Sequence, residues 1–135
     1  GHPTVLVVQR HPLVKRPKGS VPTRVLLNHD DVVAEARAAF PSWSLEVFSD
    51  YPALPDVATT CRMFQRASLV MGPHGAGFAN LVCARPGTPL VEMQRQKHAA
   101  DYELLAMKLG LPYFGVHTEM NHTGSGVVDP ALVRR

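Results

Sequence analysis

Residues Ser68–Met93, SLVMGPHGAGFANLVCARPGTPLVEM, contain a complete strand, turn, helix and strand pattern. The apolar run Leu69–Met71 has the length and composition of a buried strand. A glycine-rich loop, Gly72–Gly77, follows it and leads into a helix-like segment, Phe78–Ala84. After a break that contains proline and glycine, Pro89–Met93 predicts the next strand. Two strands joined through a turn and a helix form a βαβ unit, which predicts a parallel sheet.

The rest of the chain alternates strands and helices in the same way. Apolar or alternating runs predict strands, and periodic windows bounded by proline predict helices. The predicted strands are Thr4–Val8, Arg24–Asn28 (a short strand or an extended lead-in), Ser44–Phe48 and Pro112–Val116, and the predicted helices begin at Asp30 or Asp31, at Pro55-Asp56 and at Ala99. This pattern predicts a Rossmann-like three-layer α/β/α domain over residues 1–116, with a parallel sheet of about five strands. Residues 117–135 predict a polar tail with one helical turn at Pro130–Val133.

The composition excludes several classes of protein. A chain of 135 residues with 45% hydrophobic and 19% charged residues is expected to form one folded domain. The net charge of +3 is small, and the basic residues are scattered rather than gathered in the stripe of a nucleic-acid binder. No apolar stretch approaches the ~20 residues of a membrane span. We therefore expect contact with neither nucleic acid nor membrane. The opening Gly1-His2, without an initiator Met, suggests a fragment or a tag remnant.

Motifs for other chemistry are missing from the sequence. No nucleophile elbow follows the glycine-rich loop, and the sequence contains neither a P-loop nor a G-x-G-x-x-G fingerprint. The histidines show no metal-ligand spacing, so we expect no metal site. Cys61 and Cys83 are expected to be buried reduced thiols rather than a disulfide, because two cysteines do not make a disulfide framework.

The loop before the predicted central helix has the features of a phosphate site. The start of a helix presents unpaired N–H groups and the positive end of its dipole to an anion. Gly75 and Gly77 lack a β-carbon, so a phosphate can approach the backbone closely. His74 either contacts a phosphate oxygen, acts as an acid or base, or fixes the loop through a backbone carbonyl. Asn80, on the same side one turn later, either bonds the ligand or ties the loop.

Charged side chains extend this candidate site. Glu92 is expected to end the next strand, at the carboxyl edge of the sheet, where a carboxylate can accept hydrogen bonds from ribose hydroxyls; the alternative is a solvated strand end. Arg10 and Arg24 flank the first long loop, and the fork of an arginine suits a diphosphate. A lone surface arginine is more often solvated, so the residues alone leave both interpretations open.

The same residues resemble the signature of a known family. Gly72–Asn80, GPHGAGFAN, followed by Pro86-Gly87-Thr88 and Val91-Glu92, is similar to the signature of the family 61 glycosyltransferases. That family includes plant xylan arabinosyl- and xylosyltransferases and secretory-pathway protein O-GlcNAc transferases. Further similarities lie at Arg10, at the Arg-x-x-x-Asn stretch Arg24–Asn28, at Tyr102 and at Leu111–Tyr113. The resemblance spans roughly residues 4–116, which is nearly the whole chain.

The resemblance implies one half of a GT-B-type enzyme. This chain would be the carboxyl-terminal, nucleotide-sugar-binding half, and the amino-terminal half of the same enzyme would be its partner. The implied activity is inverting transfer, without a metal or other cofactor, from a UDP-linked sugar to a glycan or protein acceptor in the Golgi or endoplasmic reticulum lumen. The implied donor site comprises Arg10, Arg24, Asn28, Gly72, His74, Gly75, Ala76, Gly77, Asn80 and Glu92, with His74 and Arg24 as its catalytic residues.

Within this implied site, each group has a role. The loop and Asn80 line the diphosphate, Glu92 faces the ribose, and Arg10 and Arg24 neutralise the leaving diphosphate, as fixed cations do in the absence of a metal. The competing prediction is a non-catalytic nucleotide- or phosphate-binding module, or a degenerate pseudoenzyme.

Overall fold

The structure is a computed structural model that describes residues 2–10, 28–73, 75–94, 101–117, 119–120 and 126–127. Within these ranges the strands are β1 Thr4–Gln9, β2 Ser44–Ser49, β3 Leu69–Pro73, β4 Leu90–Gln94, β5 Tyr113–His117, β6 Glu119–Met120 and β7 Gly126–Val127. The α-helices are α1 His29–Ala39, α2 Val57–Arg66 and α3 Asp101–Leu109, and a 3-10 helix, Ala76–Cys83, joins β3 to β4. No helix in these ranges has both the length and the apolar character that crossing a bilayer requires.

The first five strands form one parallel sheet in the described part of the chain. Their order is β2-β1-β3-β4-β5. The chain runs outward from β1 to β2, returns past β1 to β3, and then continues to β5. This confirms the predicted α/β class and the predicted number of strands. The direction of the chain reverses between β1 and β3, and parallel sheets leave a crevice at such a point.

Each face of the sheet carries a hydrophobic core. Side chains alternate along β1, so that Val5 and Val7 pack with α1 on one face. Leu6 and Val8 belong to the other core, which also contains buried residues of α2, of the 3-10 helix and of α3. Connections between parallel strands are right-handed. The connection from β1 to β2 runs in one direction along the sheet and the connections from β2 to β5 run in the other, so α1 lies on one face and the remaining helices lie on the opposite face. The result is the predicted three-layer arrangement.

The central helix differs from its prediction in type and in start. It begins at Ala76 rather than Phe78, and it is a 3-10 helix. The Phe78 N–H donates to the Gly75 carbonyl at 3.1 Å, and the Ala84 N–H donates to the Leu81 carbonyl at 3.0 Å. Both are bonds between residues three apart, which give the tighter helix typical of short connecting segments.

The start of α1 also differs from its prediction. The helix begins at His29 with Asn28 as its N-cap residue, and the Asn28 side chain makes no capping hydrogen bond. Asp30 and Asp31, which the sequence suggested as caps, lie instead in the first turn. There their negative charges interact favourably with the positive end of the helix dipole.

The cysteines are joined, so the prediction of two reduced thiols is wrong. Cys61 of α2 and Cys83 at the end of the 3-10 helix form a disulfide, with their Cα atoms 5.3 Å apart. The two residues are separated by 22 positions, and nothing local in the sequence indicates that they meet. They meet because α2 and the 3-10 helix pack together over the same face of the sheet.

Some predictions lie in parts of the chain that the structure leaves undescribed. Three predicted features therefore stay predictions, because their residues lie outside the described ranges. They are the short strand or extended lead-in at residues 24–27, the start of the last helix at 99–100 and the helical turn at 130–133. The described residues of the tail include a pair of short strands that the sequence did not predict. Strands β6 and β7 pair antiparallel, and strands of two residues are too short to show a period in the sequence.

The start of α2 gives a prediction about pH. The Asp56 Oδ1 atom accepts a hydrogen bond from the Thr59 N–H at 2.7 Å, and this backbone bond, assisted by the Thr59 hydroxyl, lowers the pKa of Asp56 below its ordinary value. A pKa lowered by folding stabilises the fold above the unfolded-state pKa, about 4, and that contribution is lost as the pH falls through the folded-state value. We therefore expect Asp56→Ala to lower the melting temperature at pH 7 by more than it does at pH 3.

Thermal unfolding of both proteins at pH 7, 5 and 3 measures this difference. Asp56→Asn is the matched control, because asparagine keeps a capping oxygen and has no carboxylate to titrate. A difference between Asp56→Ala and the unmodified chain that stays constant over this pH range would contradict the prediction.

Candidate functional site

A cleft of about 230 Å³ opens at the carboxyl-terminal edge of the sheet, where the strand order reverses between β1 and β3. The ends of β1, β2 and β3 and the segments that follow them contribute its walls. The described residues that line it are Val8, Gln9, Arg10, Phe48, Asp50, Leu54, Pro73, Gly75, Gly77 and Asn80. Open parallel sheets bind their ligands at this position, because the loops on either side of the reversal point in opposite directions.

The packing of the protein itself requires two glycines of the Gly72–Gly77 segment, namely Gly72 near the end of β3 and Gly77 in the first turn of the 3-10 helix. A Cβ atom on Gly72 would lie 2.5 Å from the Val8 carbonyl oxygen and 2.9 Å from the Val8 Cβ. A Cβ atom on Gly77 would lie 3.0 Å from the Val8 Cγ1 and 3.5 Å from the Phe48 Cε1. Both positions therefore let β1 approach the loop closely.

Gly75 differs from Gly72 and Gly77 in the space around its Cα atom. Among the described residues, a Cβ atom there would meet the Arg10 Nη1 at 3.8 Å and the Pro73 carbonyl oxygen at 3.9 Å, both ordinary contact distances. Its backbone angles, φ 173° and ψ 170°, are extended and open to any residue. The packing of the described residues thus does not explain a glycine at position 75, and the space that its missing side chain leaves lies in front of the Arg10 guanidinium.

Arg10 and Gly75 lie together in the structure. Arg10 follows the last residue of β1, is half-buried, and lines the cleft with Gly75. Ala76 begins the 3-10 helix, whose amino end faces the same loop. The cleft thus combines a guanidinium with the start of a helix, and both groups favour an anion.

The two interpretations of Asn80 are partly resolved. Its Nδ2 atom donates a hydrogen bond to the Gly77 carbonyl at 2.9 Å, so the side chain ties the loop to the helix. It also lines the cleft, where a ligand would meet it.

Glu92 lies at a different place along its strand from the one that the sequence predicted. It lies in the middle of β4, its side chain is 1% exposed, and it accepts a hydrogen bond from the Tyr113 hydroxyl at 2.6 Å. The alternative of a solvated strand end is therefore wrong. Glu92 is also not among the described residues that line the cleft. It pairs with Gly72 in the sheet, and its side chain points to the same face as Leu90, which belongs to a hydrophobic core.

The remaining predicted residues are not gathered into the described cleft. Asn28 is the half-buried N-cap residue of α1 and is not among the lining residues. Arg24 and His74 lie outside the described residues, so their roles stay predictions. The described residues contain no group of three or more His, Cys, Asp or Glu side chains that could hold a metal ion.

Asp50 and Leu54 are lining residues that sequence reasoning missed. Asp50 comes directly after β2, and Leu54 lies a few residues later, with 66% of its surface exposed. A signal for Asp50 was available, because the carboxyl ends of parallel strands meet at one edge of a sheet. Its relevance depends on β2 lying beside β1, which the sequence alone does not establish.

Comparison with known proteins identifies the family. The family model described as Glycosyltransferase 61 matches residues 2–91. These residues include the first three strands and the first two residues of β4, together with the glycine-rich segment and every described residue that lines the cleft. A curated relative, the beta-1,2-xylosyltransferase of Arabidopsis thaliana, is 30% identical over 127 residues, a match that covers 84% of this chain and 23% of the relative. The chain therefore spans about a quarter of that relative's length, and it belongs to the glycosyltransferase 61 family.

Proposed function

We propose that this chain is the donor-binding domain of a glycosyltransferase that moves a sugar from a UDP-linked donor to a glycan or protein acceptor. Membership of the family supports glycosyl transfer, and the Arabidopsis relative is a xylosyltransferase. One observation carries the donor-binding role: Gly75 leaves space in front of Arg10, in a cleft at the reversal point of the sheet.

The groups around that space suit a diphosphate. The first hydrogen bond of the 3-10 helix runs from the Phe78 N–H to the Gly75 carbonyl, so the N–H groups of Ala76 and Gly77 have no partner within the helix. Such N–H groups and a guanidinium are the donors that proteins use to hold phosphate oxygens. We assign the diphosphate of the donor to this end of the cleft.

The same groups account for the chemistry of transfer. The bond between the anomeric carbon and the phosphate oxygen breaks, and negative charge accumulates on the departing diphosphate. Donors fixed around that charge stabilise the transition state more than the bound donor, which increases the rate. Arg10 has this role among the described residues, and Arg24 and His74 are predicted to share it. This assignment requires no metal ion.

The proposal includes a second half of the enzyme and a compartment. The matched part is 23% of the Arabidopsis relative, and we assign the acceptor contacts and the general base of an inverting, GT-B-type reaction to an amino-terminal domain. The disulfide between Cys61 and Cys83 supports the Golgi or endoplasmic reticulum lumen, because disulfides persist in oxidising compartments.

The test of this proposal is nucleotide binding by the purified chain. We expect isothermal titration calorimetry with UDP, GDP, ADP, UDP-xylose and UDP-N-acetylglucosamine to show binding of UDP and of a UDP-sugar. Arg10→Ala should weaken that binding about 10- to 100-fold, because a charge-assisted hydrogen bond to the diphosphate is lost. Gly75→Ala should weaken it similarly through contact of the new methyl group with the phosphate, with melting temperature unchanged or slightly raised.

Arg37→Ala is the matched control for Arg10→Ala. Arg37 is an exposed arginine in the last turn of α1, near the amino-terminal end of β2 and far from the cleft. The Arg37→Ala variant should bind nucleotide with the affinity of the unmodified chain. Equal losses in both arginine variants would show a general charge effect and contradict the assignment. Absence of any nucleotide binding would overturn the proposed function, and binding without transfer by the enzyme containing both halves would favour a non-catalytic binding module.

A further inference from the structure

We propose that Asp50 is the carboxylate that accepts hydrogen bonds from the ribose hydroxyls of the nucleotide. The nucleotide then lies across the cleft, with its diphosphate at Gly75 and its ribose beyond the end of β2. This inference rests on the proposed function, because it specifies how the same cleft holds its ligand. It applies to a nucleoside diphosphate with any base.

The position of Asp50 in the sheet is the first argument. Ser49, the last residue of β2, pairs with Gln9, so Asp50 and Arg10 leave neighbouring strands at the same level. Gly75 follows β3 on the other side of β1. The ends of β2 and β3 are thus two strand spacings apart, about 10 Å, a span that a nucleoside diphosphate can cross from its phosphates to its ribose.

The chemistry of the two ends is the second argument. The end at β3 offers backbone N–H groups, and the Arg10 guanidinium lies next to it; these are donors for an anion. The end at β2 offers a half-buried carboxylate, which repels phosphate but accepts hydrogen bonds from hydroxyl groups. Leu54, with 66% of its surface exposed, and buried Phe48 line this end as well, and such apolar surface suits the face of a base. Only one orientation of a nucleotide satisfies both ends.

The burial of Glu92 is the third argument. Sequence reasoning assigned the ribose to this residue, yet its side chain is 1% exposed and accepts from the Tyr113 hydroxyl at 2.6 Å. Asp50 lines the cleft, whereas Glu92 is not among the described lining residues. In nucleotide-binding sheets of this kind, an acidic residue that accepts from ribose hydroxyls is a recurring feature. Asp50 is the described carboxylate whose position in this cleft allows that contact.

A comparison of ribonucleotides with deoxyribonucleotides tests the inference. Calorimetry measures the binding of UDP, GDP and ADP and of their 2′-deoxy and 3′-deoxy counterparts to the unmodified chain, to Asp50→Ala and to Asp50→Asn. We expect the unmodified chain to bind its preferred ribonucleotide about 10- to 100-fold more tightly than at least one deoxy form. In Asp50→Ala that ratio should fall to about one, because the ribonucleotide loses the hydrogen bond that its deoxy form cannot make.

Two further variants complete the design. Asp50→Asn keeps the shape of the side chain and one acceptor oxygen, so it should give an intermediate ratio, and it substitutes for Asp50→Ala if melting curves show the latter to be unfolded. Asp101→Ala removes an exposed carboxylate from the first turn of α3, a helix that contacts β5 at the opposite end of the sheet from β2, and should keep the ratio of the unmodified chain.

The outcomes separate this inference from the proposed function. Unchanged discrimination in both Asp50 variants would overturn the inference and leave the donor-binding role intact. Equal weakening of the ribo and deoxy forms would also overturn it, because Asp50 would then act on Arg10 or the loop rather than on the ribose. Failure of the unmodified chain to bind any of these nucleotides would overturn the proposed function, and this inference with it.

Discussion

We expect Gly72→Ala to lower the free energy of unfolding by about 3 kcal/mol, the upper end of the usual cost of overpacking a core. The new methyl carbon would lie 2.5 Å from the Val8 carbonyl oxygen and 2.9 Å from the Val8 Cβ. Those atoms belong to β1, a central strand with a hydrophobic core on each face, so they cannot move aside without disturbing both cores. Urea unfolding monitored by circular dichroism measures the loss.

Gly75→Ala is the matched control for this variant. It introduces the same methyl group three residues later, just after the end of β3, where the nearest atoms of the described residues would be 3.8 Å and 3.9 Å away. Its free energy of unfolding should be unchanged or up to about 1 kcal/mol higher, since alanine restricts the unfolded chain more than glycine does. Similar losses in the two variants would show that the loop tolerates no side chain and would contradict the contrast between the two glycines.

The double variant Cys61→Ser/Cys83→Ser should lose about 3 kcal/mol of unfolding free energy. The disulfide closes a segment of the chain across 22 positions, which restricts the unfolded ensemble more than the folded one. Urea unfolding of the variant and of the unmodified chain, each with and without reductant, measures the effect. Reductant should destabilise the unmodified chain to the level of the variant and leave the variant unchanged. Equal stability of the oxidised and reduced chains would contradict the prediction.

The sheet was predictable because its signals are local. Thr4–Val8 and Leu69–Met71 are apolar runs of strand length, and the glycine-rich loop between the latter and the next strand marks a parallel unit. The helix ends were less predictable. Asn28, rather than Asp30, precedes the first turn of α1, because several residues in a row can occupy the cap and tertiary packing selects among them.

The candidate site was predictable only where it is contiguous in sequence. The glycine-rich loop carries its own signal, and Arg10 follows a strand that the sequence identifies clearly. The positions of Asp50 and Glu92 depend on the order of the strands and on the face to which each side chain points. A carboxylate near the end of an apolar run looks the same in the sequence whether it lines a cleft, as Asp50 does, or lies buried beside a tyrosine, as Glu92 does.

The disulfide also affects the entropy of ligand binding. Cys61 lies in α2, the helix that follows the Asp50–Leu54 wall of the cleft, and Cys83 ends the 3-10 helix that follows Gly75 in the opposite wall. A covalent bond therefore joins the segments that carry both walls. A receptor whose walls are already held in place loses little conformational freedom when a ligand arrives, so more of the interaction energy appears as affinity. In this domain, the bond that stabilises the fold also preorganises the cleft.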